Sequence, residues 1–133
     1  MDMVTVCGLK KYFGTGIRQV KAVDGIDISI EKGTFTAVVG ASGSGKTTLL
    51  NLIGGLYQPT EGTVTVDGTE LSTLREEELT VFRRRRIGFV FQDCRLIPEL
   101  TVRENILLPL ALDGSRPDMA FFDELTGRLA LKS

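Results

Sequence analysis

The run Gly40-Ala41-Ser42-Gly43-Ser44-Gly45-Lys46-Thr47-Thr48 has the residue types and spacing to hold the phosphates of a nucleotide, fitting G-x-x-x-x-G-K-[ST]. Phosphate oxygens are dense with negative charge, and the start of a helix offers unpaired N–H groups with a partial positive charge. Gly43 and Gly45 allow the positive φ angles that turn such donors inward, where a Cβ would resist. The candidate phosphate-binding set is Ser42, Gly43, Ser44, Gly45, Lys46, Thr47 and Thr48. Lys46 supplies a point charge between the β- and γ-phosphates, and the Thr47 hydroxyl is suited to Mg²⁺.

Such a loop works only at a strand-to-helix turn. The apolar, β-branched run at residues 34–39 is predicted as a buried strand, and residues 49–53 as a helix. Upstream, residues 3–7 alternate apolar and polar side chains, and residues 20–30 place Ile26, Ile28 and Ile30 on one face. Both predict half-buried antiparallel strands. Tyr12 lies in the connection between them and has two readings: packing at a strand end, or a flat ring for a purine base.

Downstream, Gln58-Pro59-Thr60-Glu61-Gly62 predicts a turn, residues 63–66 a strand, and Asp67-Gly68 a hairpin turn. A helix follows with Glu76, Glu77 and Glu78 early and Arg83 to Arg86 late, an order that suits the helix dipole. The arginines therefore read as a solvated helix end, with a nucleic-acid patch as the competing reading. Residues 87–91 predict a further apolar strand ending at Gln92. A polar side chain at the carboxyl end of a strand can reach a metal or an attacking water; otherwise Gln92 is a loop hydrogen-bonder. Thr101 opens a helix through residues 102–108. Ser115 or Arg116 is expected to cap the next, with Pro117 in its first turn and Met119, Phe122, Leu125 and Leu129 as its packing face.

The whole chain sets outer limits. Its 133 residues, 42% hydrophobic, suit one soluble domain, and 16 basic against 17 acidic residues give no reason to expect nucleic acid as a partner. No secretory signal or membrane-length apolar run is visible, so a cytoplasmic location is expected. Cys7 and Cys94 are expected to be buried or half-buried thiols. With no histidine in the chain, acid–base chemistry by imidazole is excluded within it.

Taken in order, these signals closely resemble the ATP-binding cassette (ABC) family of transporter ATPases over essentially the whole chain. The phrases VDGIDISIEKG, TTLLNLIGGL, PTEGTV, RRRRIGFVFQD and LIPELTVRENILLPL look most like the branch serving lipoprotein release and macrolide export. By this resemblance Tyr12 stacks on adenine, residues 40–48 are the Walker A loop, and Gln92 is the Q-loop glutamine. Gln92 would then share the Mg²⁺ and water site with Thr47 and contact the membrane partner, making Lys46 and Gln92 the catalytic candidates.

The implied fold is α/β, a P-loop NTPase with an N-terminal antiparallel β portion and the start of a helical subdomain, divided at 1–92 and 93–133. The implied function is ATP binding and hydrolysis coupled to transport. Its cofactors would be ATP and Mg²⁺, and its partners a transmembrane permease and a second nucleotide-binding domain, on the inner face of the cell membrane. The alternatives are a P-loop small-molecule kinase and a non-transport ABC ATPase. The family's LSGGQ-like signature, Asp-Glu strand end and switch histidine do not occur in this sequence. The chain is therefore expected to be the amino-terminal portion of a nucleotide-binding domain. By itself it is expected to bind ATP–Mg²⁺ weakly if at all, not to hydrolyse it, and to expose apolar strand edges that invite self-association.

Overall fold

A computed structural model describes residues 1–131. The chain divides into two units, Met1–Ile87 and the residues from Gly88 onward. Among the described residues it is an α/β chain with four helices and one antiparallel sheet.

The first unit is built on that sheet, in the order β2-β1-β3-β4. β2 (Val20–Glu31) forms where its alternation predicts, whereas β1 (Asp2–Phe13) runs past the expected residues 3–7 and takes in Tyr12, which the sequence placed in a connection, because β2 pairs with it as far as Phe13; β3 (Glu61–Val66) pairs with β1 on its other side. The Asp67-Gly68 turn leads to the short β4 (Thr69–Glu70). Both turn residues have positive φ, 48° and 78°, as a two-residue hairpin requires. Helix α1 (Lys46–Ile53) lays Leu49 and Leu52 on the sheet, where they join Val6, Leu9, Val23, Val64, Val66 and Leu71 in the core. Helix α2 (Glu76–Arg86) carries its acids first and arginines last, as the dipole argument expects. Arg83 donates to the Gly55 carbonyl at 2.7 Å, and Arg86 pairs with Asp67 at 3.4 Å.

Two expected strands do not form. Residues 34–39 and 87–91 belong to no ladder, and Phe35 and Val90 are fully exposed. An apolar run becomes a strand only when another strand takes up its N–H and C=O groups, and parallel strands draw those neighbours from distant chain. Neither segment has such a neighbour among the described residues. The cysteines also depart from expectation, since both Cys7 and Cys94 are exposed.

In the second unit, α3 (Val102–Asp113) begins at a reciprocal cap: Thr101 Oγ1 accepts from the Glu104 N–H, and the Glu104 carboxylate accepts from the Thr101 N–H. The helix runs past Pro109 and ends at Gly114 in the left-handed region. Helix α4 (Met119–Arg128) is capped by Asp118, whose carboxylate accepts from the Phe121 N–H at 3.1 Å. Neither Ser115 nor Arg116 is that cap; Pro117 precedes it, and Asp118 offers the stronger acceptor. The packing face of α4 is also rotated from the expected stripe. Thr126 is buried, Met119 and Phe122 are half-buried, and Leu125 and Leu129 are exposed. The guanidinium of Arg103 on α3 lies 5.4 Å from the Phe122 ring centre, on the side of α4 that carries Phe122 and the buried Thr126.

Candidate functional site

The phosphate loop enters α1 through backbone that only glycine adopts easily. Gly43 has φ 78°, and Gly45, the residue capping α1, has φ 91°. A Cβ on Gly45 would collide with the carbonyl of Ala22 in β2, so the loop is seated directly against the sheet. A Cβ on Gly40 would come within 2.8 Å of Ser44 Oγ. The first intrahelical bond runs from the Leu49 N–H to the Gly45 carbonyl at 2.9 Å, and no side chain caps the helix. The N–H groups of Lys46, Thr47 and Thr48 therefore open at the positive end of the helix, the donor set a phosphate requires.

Lys46 folds back over its own loop. Its Nζ donates to the carbonyls of Gly40 and Ala41, each at 2.7 Å, and lies 3.4 Å from Ser44 Oγ. The ammonium is thereby held over the loop by neutral oxygens, which a charged phosphate oxygen would outbid. Thr47 is exposed in the first turn of α1. Narrow, glycine-shaped backbone, open N–H groups, one ammonium and a hydroxyl fit a Mg²⁺-bound polyphosphate.

Tyr12 stands at the end of β1, on the same stretch of sheet. Its register with β2 slips between Lys11↔Val23 and Tyr12↔Lys21, leaving Ala22 as an extra, bulged residue. That bulge contains the carbonyl against which Gly45 sits. The Tyr12 hydroxyl donates to the Asp24 carboxylate, its N–H donates to Thr60 Oγ1 at 3.0 Å, and Lys21 Nζ lies over its ring at 5.2 Å. The hydrogen bond to Asp24 holds the phenol pKa above its usual value near 10, because losing the proton would leave two anions face to face.

The structure thus brings Tyr12 and the phosphate loop to one stretch of β2 through Ala22. Gln92 belongs to the second unit, where it is exposed at a bend. Just before it, the rings of Phe89 and Phe91 stack at 5.4 Å, and Arg95 covers Phe91 at 4.1 Å. Lys21, Ala22 and Asp24 were not among the sequence candidates. Their positions follow from a bulge, which alternation along a single strand does not reveal.

The family model described as ABC transporter matches residues 23–132. An ABC transporter ATP-binding protein of Bacillus subtilis, YvcR, is 46% identical over 99% of this chain and 52% of its own length. The lipoprotein-releasing system ATP-binding protein LolD of Bacteroides thetaiotaomicron is 45% identical over 84% of this chain and 50% of its own length. Among solved structures, the dimeric bacterial ABC transporter cassette MJ0796 superposes with TM-score 0.81 at 40% identity, covering 89% of this chain and 52% of that one. The chain spans about half the length of these relatives. The match displaces the small-molecule kinase alternative, since fold, order of elements and sequence agree with one family throughout. With a glycine-shaped phosphate loop seated on an antiparallel sheet, and that family's model matching from β2 onward, the chain belongs to the ABC transporter family.

Proposed function

We propose that this chain is the amino-terminal part of the ATP-binding subunit of an ABC transporter, which couples ATP binding and hydrolysis to transport across a membrane. The observation that carries the reading is the open helix start at Lys46, Thr47 and Thr48, preceded by Gly43 and Gly45 at positive φ. Bound nucleotide would be held by main-chain N–H groups between Ser42 and Thr48, the Ser44 N–H giving up its 3.1 Å bond to the Ala41 carbonyl, with Lys46 exchanging its carbonyl partners for β- and γ-phosphate oxygens. Thr47 would hold Mg²⁺, which supplies charge neutralisation at the transferred phosphoryl group, and Gln92 is proposed separately as the Q-loop glutamine. Tyr12 would stack on the adenine.

Hydrolysis also needs a general base and a γ-phosphate sensor, and this chain has no histidine to contribute. In this reading a carboxy-terminal half of the domain provides them. The same half gives residues 34–39 and 87–91 their strand partners. The structural relative MJ0796 is described as a dimer and as bound to ADP and Pi after hydrolysis, which supports a nucleotide-driven pair of domains here. Named relatives act in lipoprotein release, bacitracin export and macrolide export. A transmembrane permease is the matching partner, holding this subunit at the inner face of the cell membrane.

The test compares protein expressed from the intact reading frame with residues 1–133 alone. ATP hydrolysis by the first that is lost with Lys46→Ala, and no turnover by the second, are the expected results. Turnover by residues 1–133 that disappears with Lys46→Ala, or an intact protein indifferent to ATP, overturns the proposal.

A further inference from the structure

The Ala22 bulge joins the two ends of the candidate nucleotide site. Its carbonyl meets the phosphate loop at Gly45, while Lys21, the residue before it, and Asp24, two residues after it, both engage Tyr12. We infer that Asp24 is a positioning residue for nucleotide binding: by accepting the Tyr12 hydroxyl it fixes the ring at a set distance and tilt from the phosphate loop, with Lys21 covering one ring face. The inference rests on the proposed stacking of Tyr12 on adenine and adds the device that aims the ring.

The geometry supplies the reasons. Tyr12 is half-buried at a strand end, and its main-chain N–H is anchored by Thr60. That anchor fixes the backbone and leaves the ring free to turn about its side-chain torsions. A single polar handle remains at the far end of the ring, and Asp24 holds it. Because Asp24 lies two residues from the bulged Ala22, on the strand that abuts Gly45, the ring is referenced to the same backbone as the phosphate loop. With Lys21 over one face, a base is directed to the other. A ring already oriented loses less freedom when the base arrives, so affinity gains without any new contact to the ligand.

Binding of ATP and of inorganic tripolyphosphate to the intact protein, measured by titration calorimetry, tests this, because tripolyphosphate has no base. Asp24→Ala and Tyr12→Phe are each expected to weaken ATP about 5-fold while leaving tripolyphosphate unchanged. The double variant is expected to be no weaker than either single one. Asp24→Asn, which keeps an acceptor oxygen, should restore most of the loss; in turnover, Asp24→Ala should raise KM for ATP with kcat unaltered.

Asp24→Ala weakening both ligands equally would assign Asp24 a general structural role and overturn the inference. Asp24→Ala and Tyr12→Phe without effect, beside a Tyr12→Ala that weakens ATP, would overturn it while leaving stacking intact. Tyr12→Ala without effect would overturn the stacking reading itself.

Discussion

At the scale of single residues, the chemistry is concentrated where backbone and side chain must both be right. Lys46 contributes charge, held over the loop by the Gly40 carbonyl, and Gly43 and Gly45 contribute the conformations that leave main-chain N–H groups open to a phosphate. Lys46→Ala should reduce ATP turnover of the intact protein by about 100-fold or more, measured by phosphate release, because it removes the one cationic side chain of the loop that meets the β- and γ-phosphates. A third glycine separates stability from binding. Gly62 has φ 85°, and a Cβ there would collide with the carbonyl of Gly8 on the neighbouring strand. Gly62→Ala should therefore cost about 2 kcal/mol or more in denaturant unfolding, with nucleotide affinity retained in the folded fraction. These roles differ in legibility. The phosphate loop announces itself because its spacing is rare and mechanistically constrained. Asp24 does not, because an aspartate in an alternating strand looks like any solvent-facing residue until the partner register is known.

At the scale of elements, α2 and α3 are held at their starts by the same kind of contact. The Glu78 carboxylate accepts from the Arg75 N–H at 2.8 Å, and the Glu104 carboxylate from the Thr101 N–H at 2.7 Å. Each bond favours the ionised carboxyl and holds its pKa below the usual value near 4.5. A carboxyl whose folded pKa lies below its unfolded one binds fewer protons in the folded state. Its stabilisation is complete above the unfolded value and is lost as pH falls through the lower, folded value. Both helix starts should therefore fray on acidification below about pH 4.5, read by amide hydrogen exchange, and Glu104→Gln should remove the pH dependence at α3 alone. Thr101→Ala should weaken α3 by about 1 kcal/mol by removing the acceptor for the Glu104 N–H. Element types were readable from period, charge order and capping residues. The missing information concerned neighbours. Residues 34–39 and 87–91 have strand composition, yet composition cannot provide a ladder. In α4, periodicity defined an apolar stripe but not which side of it another helix would cover.

At the scale of the whole molecule, large apolar side chains remain in water: Phe35 is 97% exposed, Val39 86% and Val90 102%. Exposed apolar runs beside unused N–H and C=O groups invite pairing with another chain. Residues 1–133 alone should self-associate in sedimentation velocity, and Phe35→Glu with Val39→Lys should shift the chain toward monomer. A monomer at high concentration without these substitutions would show that the segments need no partner. The sequence by itself determined the glycine-rich turn into α1 that is the candidate phosphate loop, the antiparallel β portion, the charge order of α2 and the family, because each depends on local spacing or on residue types with few substitutes. Tertiary structure alone decided that Ala22 bulges against Gly45, that Asp24 and Lys21 converge on Tyr12, and that two strand-like segments stay unpaired. Those outcomes depend on which distant backbone lies alongside, and pairing partners are set by the folded chain and not by the residues next in line.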